Sequence, residues 1–126
     1  MELPVPGILE SPFGVFESKI FSYKKQKIEE KKYTKWFDYD KIKNSPCVRT
    51  RRQGDYLTVN SEGGRKKLNR IFIDEKIPAE MRDRLPVVAA GSEILWIPGG
   101  RMNEKYKITS TTGRVLELHY QGGALA

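Results

Sequence analysis

The chain has 126 residues, 38% of them apolar and 10% aromatic, and its 23 Lys and Arg against 16 Asp and Glu give a formal charge of +7. That length fits one domain, and the apolar share is low for a globular chain but too high for a disordered one, so a cored domain is expected. A membrane-spanning helix is excluded because no apolar run is longer than Pro86–Ala90 or Ile94–Pro98, and a single cysteine (Cys47) and a single histidine (His119) exclude an internal disulfide framework and leave a zinc site short of ligands.

The first dozen residues hold Pro4, Pro6, Gly7 and Pro12 and predict an extended arm. They lack the basic start and apolar core of a secretory signal; with one cysteine, a reducing cytoplasm is expected. Val15–Tyr23, rich in β-branched and aromatic residues, predicts a strand. Lys24–Lys35 has six lysines and no apolar stripe, which predicts a loop or hairpin tip. Trp36–Ile42 alternates with period two and predicts a strand. After Pro46, Cys47–Arg51 and Tyr56–Val59 read as short strands about a turn at Gln53-Gly54-Asp55. Ser61–Gly64 reads as a loop leading into a helix that begins at Arg65, with Leu68, Ile71 and Phe72 as its buried stripe. A second short helix follows Pro78, with Met81 and Leu85 turned inward, and Pro86 ends it. Val87–Ala90 and Ile94–Ile97 flank a tight turn; the second is apolar at every position, which predicts a central strand. Lys105–Thr109 and Arg114–Tyr120 read as two further strands, and 121–126 as a fraying tail. The expected fold is α+β and strand-dominated: sandwich-like sheets of short, mostly antiparallel strands with two short helices inserted mid-chain.

The positive charge is concentrated. Residues 41–84 contain twelve Lys and Arg and six Asp and Glu, most of the chain's excess. Such a block points to an anionic partner, most often nucleic acid, with a solubilising surface as the alternative. Arg49, Arg51 and Arg52 fall in one strand and turn. Arg65, Lys66, Lys67 and Arg70 fall at the expected helix start, and Arg82, Arg84 and Arg101 extend the set. Cations at a helix N-terminus oppose its dipole, which is odd for a purely structural surface and tolerable for one that meets phosphates. A catalytic apparatus is not visible. There is no G-x-S-x-G elbow and no Walker loop, and Ser61-Glu62-Gly63-Gly64 lacks the spacing of a nucleotide motif. Acids cluster at Asp74-Glu75 and at Glu80 and Asp83; Arg82 and Arg84 lie beside the last two, so ion pairing and helix capping account for those.

Three stretches carry a more specific signal. The run KKLNRIFIDEKIPAEMRDRLP at 66–86 is followed by Gly91-Ser92-Glu93-Ile94-Leu95-Trp96-Ile97-Pro98-Gly99. Trp36-Phe37-Asp38-Tyr39-Asp40 and Arg49-Thr50-Arg51-Arg52-Gln53-Gly54-Asp55 precede it. From about residue 36 to about 118 the chain resembles the C-terminal region of bacterial tRNA(Ile)-lysidine synthases. Two positions depart from that family's usual pattern: Tyr56 replaces a frequent arginine, and Asn69-Arg70-Ile71-Phe72 replaces a KDFF-like segment.

The resemblance implies an activity for a parent protein. ATP adenylates C2 of the wobble cytidine in an isoleucine tRNA with a CAU anticodon, and lysine then displaces AMP. That chemistry belongs to a domain with an SGGxDS signature, which this chain lacks. The resemblance therefore implies a C-terminal, non-catalytic, tRNA-binding module without a cofactor or metal of its own, with ATP and Mg held by the parent's other domain. Its organisation would be residues 1–43 as an arm, strands and charged loop leading from an upstream part, 44–120 as the tRNA-binding domain, and 121–126 as the tail. The expected partner is isoleucine tRNA at its acceptor-stem side, with no membrane. The ten cations named above are the expected tRNA contacts. A competing reading is a self-associating module, a homodimer through sheet edges or the arm, whose basic face is incidental.

Overall fold

The structure is a computed structural model that describes residues 1–122. Among the described residues nine strands form two sheets. The first has four strands in the order β1 (Gly7–Ser11), β2 (Gly14–Ser22), β9 (Arg114–Gly122), β3 (Thr34–Asp38), all antiparallel. The second has five, in the order β4 (Cys47–Arg49), β7 (Val87–Ala90), β8 (Glu93–Trp96), β5 (Tyr56–Thr58), β6 (Arg65–Lys67). Its one parallel pairing joins β5 to β8. Two short helices, α1 (Leu68–Asp74) and α2 (Ala79–Arg82), lie between β6 and β7. The strand-dominated α+β architecture with mid-chain helices is thus the observed one.

Three layers result. Phe16, Phe37, Leu116 and Leu118 of the first sheet meet Val48, Val88, Leu95 and Trp96 of the second in one core. On the far face of the second sheet, Val87, Ala89, Ile94 and Leu57 meet Leu68, Ile71 and Phe72 of α1 in another. β7 and β8 are therefore covered on both faces, which is why β7 and residues 94–96 of β8 are apolar throughout. Beyond its start, where Val115 is buried as well, β9 alternates: Leu116 and Leu118 are buried, whereas His119 is exposed.

Several local expectations change. The extended N-terminal segment includes the strand Gly7–Ser11 and is tied to the rest of the fold. Leu3 N–H donates to the Pro46 carbonyl (3.0 Å), Val48 N–H donates to that of Met1 (2.7 Å), and the Ser18 hydroxyl donates to that of Pro4 (2.6 Å). Residues 1–3 thereby cover the otherwise open edge of β4, a common remedy for an unpaired strand. β3 stops at Asp38 and turns into a 3₁₀ turn at Tyr39–Lys41. The strand expected at 105–109 is absent. The Asn103 side chain accepts from Lys105 N–H (2.9 Å) and starts a 3₁₀ turn at Glu104–Tyr106, which buries Tyr106. Met81 is 40% exposed instead of buried, because α2 is only four residues long. Gln121 and Gly122 continue β9 against Val15 and Gly14, and residues 123–126 of the expected tail lie outside the described residues.

Candidate nucleic-acid interface

The basic block does not begin a helix. Asn60 Oδ1 accepts from the N–H groups of Glu62 (3.0 Å) and Gly64 (2.9 Å), and Val59 N–H donates to the Gly64 carbonyl (2.8 Å). This closes a hairpin in which Arg65–Lys67 pair with Tyr56–Thr58 as the edge strand β6. The helix starts only at Leu68, whose N–H donates to the Asp55 carbonyl (2.9 Å). Of the four cations expected to oppose the helix dipole, Arg70 alone lies in the first turn of α1; the other three, Arg65, Lys66 and Lys67, thus occupy a sheet edge, where the dipole argument does not apply. Strand alternation sends them to both sides of the rim. Lys66 lies opposite Leu57 in register, on the α1 side, while Arg65 and Lys67 are exposed on the other.

Arg49 is inward-facing, unlike the sequence expectation. It is 8% exposed, and its two terminal nitrogens donate to the two carboxylate oxygens of Asp55, both at 2.8 Å. One of them also reaches the Gly91 carbonyl (2.9 Å). The Asp55 hydrogen bond raises the guanidinium's pKa further and keeps it charged despite burial. Asp55 also accepts from Arg52 N–H (2.7 Å), so one carboxylate fixes the turn Arg52–Asp55. Gly54 supplies the positive φ of +93° that this turn needs. Arg49 is therefore a scaffold residue beneath the basic rim, and its donors are engaged within the fold.

The other nine cations divide by what they already touch. Arg51 donates to Asp83 (2.8 Å) and Asn69 (2.9 Å), joining α1 to the segment after α2. Arg82 donates to the Ile77 carbonyl (2.9 Å). Lys66 and Arg70 share Asp74, at 2.7 and 3.1 Å. The Lys66 hydrogen bond, with the nearby charges of Arg70, Lys66 and Arg101, holds the Asp74 carboxyl below the usual carboxylate range. Arg52, Arg65, Lys67, Arg84 and Arg101 are exposed and have no ion pair among the described residues. Arg65 sits 4.7 Å above the Tyr56 ring, so the position that departs from the family pattern orients a neighbouring cation instead of adding one. Asp74 follows Arg70 at the i, i+4 spacing of one helix face, so that pairing is legible in the sequence, whereas its contact with Lys66 of β6 is not.

Arg101 also lines a groove of about 600 Å³ that runs beside β3 under residues 27–31. Lys27, Lys35, Glu30 and Glu117 line it as well, so its charge is mixed. Trp36, at its floor, donates to Glu117 (3.1 Å) and packs edge-on to Phe21 with ring centroids 5.0 Å apart. Phe37 is fully buried in the core, and Tyr39 lies under Arg114. His119 is exposed, with its Nδ1 2.7 Å from the Thr34 hydroxyl. Among the described residues no three His, Cys, Asp or Glu side chains are grouped to hold a metal ion, and no helix is long and apolar enough to cross a membrane.

Residues 47–118, which contain the whole rim, match the family described as the TilS substrate C-terminal domain. The chain belongs to this family. The tRNA(Ile)-lysidine synthase of Caldanaerobacter subterraneus subsp. tengcongensis is 41% identical over 120 residues, covering 94% of this chain and 26% of that protein. The enzyme of the same name from Geobacillus kaustophilus is 38% identical over 123 residues, covering 95% and 26%. A crystal structure described as the TILS C-terminal domain superposes with a TM-score of 0.78 at 34% identity, over 96% of this chain and 94% of that one. The resemblance read from residues 36–118 is therefore borne out in sequence and in fold. The chain spans about a quarter of the length of these curated relatives.

Proposed function

We propose that this chain is the tRNA-docking module of a tRNA(Ile)-lysidine synthase. It would hold an isoleucine tRNA with a CAU anticodon, by the acceptor-stem side, while a separate ATP-dependent domain joins lysine to the wobble cytidine. The observation that carries this reading is the rim at β6 and the adjoining loops. Arg52, Arg65, Lys67 and Arg101 are exposed there with no carboxylate partner among the described residues, beside the tethered Lys66 and Arg70. A row of rigidly based cations suits the phosphates of an A-form helix. The deep, narrow groove of such a helix hides its base edges, so recognition there works by shape and backbone. Arg49 drops out of the contact set and becomes the support of Arg52 and its turn.

Salt dependence tests this directly. In nitrocellulose filter binding with the tRNA transcript, affinity should fall with a log–log slope of about −0.7 to −0.9 per phosphate contacted. Replacing Arg65 and Lys67 together with alanine should flatten that slope by about one to two units and leave the melting temperature nearly unchanged, since both side chains are exposed. An unaltered slope and affinity would place the RNA on another face.

A second expectation concerns chemistry. The purified chain should neither hydrolyse ATP nor transfer lysine to tRNA, because it has no phosphate-binding loop. Lysine incorporation that copurifies with the chain through two orthogonal columns would refute the assignment of catalysis to another domain.

A further inference from the structure

We propose that Asp74 is a positioning residue that sets the RNA specificity of the rim, by tethering Lys66 and Arg70 at fixed places so that they serve only a duplex whose phosphates match them. The inference rests on the RNA-docking reading above and deepens it.

The geometry is unusual for a surface acid. Asp74 is the last residue of α1, where the negative end of the helix dipole disfavours a carboxylate. Helix electrostatics therefore do not explain it. Each of its oxygens instead faces one cation from a different element: Oδ2 accepts from Lys66 Nζ of β6 (2.7 Å), and Oδ1 forms an ion pair with Arg70 Nε of α1 at 3.1 Å. Arg101 adds its field from a third segment. The carboxyl is held below the usual carboxylate range, so it stays charged throughout the neutral range.

Two consequences follow for a polyanion that approaches the rim. Lys66 and Arg70 swing toward a phosphate only at the cost of leaving Asp74, whose charge then faces the incoming anion. Both nevertheless keep unused N–H donors, since Lys carries three and Arg five. These donors point from anchored positions. A duplex whose phosphates fall at those positions is bound without disturbing Asp74, whereas one that does not fit must break the tether and meet a bare carboxylate. Asp74 thus adds discrimination through repulsion of wrong partners more than affinity for the right one.

The test uses Asp74→Asn in the 126-residue chain, with isoleucine tRNA and a short RNA duplex of unrelated sequence as the two probes. Affinity for the unrelated duplex should rise by roughly threefold or more, with a steeper salt slope, while tRNA affinity changes little, so that the ratio between the probes falls. In the free variant, ¹⁵N relaxation at Arg70 Nε should report increased mobility. Equal gains for both probes would overturn the proposal, because Asp74 would then only subtract charge. An unchanged ratio, or an Arg70 that is no more mobile, would overturn it as well. The paired Arg65→Ala, Lys67→Ala variant separates this failure from that of the docking reading. If that variant leaves tRNA binding intact, the rim does not meet RNA and both ideas fall; if it weakens binding while Asp74→Asn leaves the ratio alone, only the role of Asp74 falls.

Discussion

Arg49→Ala should destabilise the chain by about 3–5 kcal/mol, the usual consequence of removing one partner from a buried ion pair. The reason is what the substitution leaves behind. Asp55 is 3% exposed, and without Arg49 its carboxylate would be an uncompensated charge in the interior. The Gly91 carbonyl would lose a donor at the same time. Asp55 also holds the turn through Arg52 N–H, and its carbonyl receives the first N–H of α1. The damage would therefore spread to the base of the rim. In a domain of roughly 5–15 kcal/mol total stability, most of the margin would go. Urea unfolding followed by tryptophan fluorescence would measure it. Arg49→Lys should recover little, because a single ammonium cannot span both carboxylate oxygens as the planar guanidinium does. A variant that unfolds at the wild-type midpoint yet fails to bind tRNA would restore Arg49 to the contact set read from the sequence.

Phe72→Ala should have an effect of similar size, about 3–5 kcal/mol, by a different route. Phe72 is 1% exposed and packs with Leu68 and Ile71 on the outer face of the five-stranded sheet. Truncation would leave a void that a seven-residue helix, anchored at its start by one backbone hydrogen bond to Asp55, is poorly placed to close. RNA binding would decline with the fold, since α1 carries Arg70 and Asp74. Equilibrium denaturation and filter binding on the same preparation should therefore move together. A Phe72→Ala chain that keeps its melting temperature and selectively loses tRNA would make Phe72 a base-stacking platform and reverse the assignment of the two helix faces.

The sequence by itself determined the elements whose signal is local. Ile94–Ile97 is apolar at every position because its strand is buried on both faces, and it could be read as central without knowing its neighbours. Leu68, Ile71 and Phe72 fall at helical spacing because one face of α1 meets the sheet, and that spacing survives whatever precedes it. The family was equally legible, since the motif at 66–99 is long and specific. Tertiary structure decided the rest. Arg65, Lys66 and Lys67 have no intrinsic reason to be strand instead of helix; the choice was made by Tyr56–Thr58, which offered backbone partners, and by Asn60, which closed the loop between them. Arg49 and Arg51 are alike in sequence, separated only by Thr50. One is buried against Asp55 and the other braces α1 against the segment after α2, because the sheet places Asp55 within reach of only the first. Charge shows in composition, but whether a cation faces solvent, a phosphate or a buried carboxylate depends on where distant acids come to lie. That distribution of partners is a property of the packed chain, and local sequence pattern does not encode it.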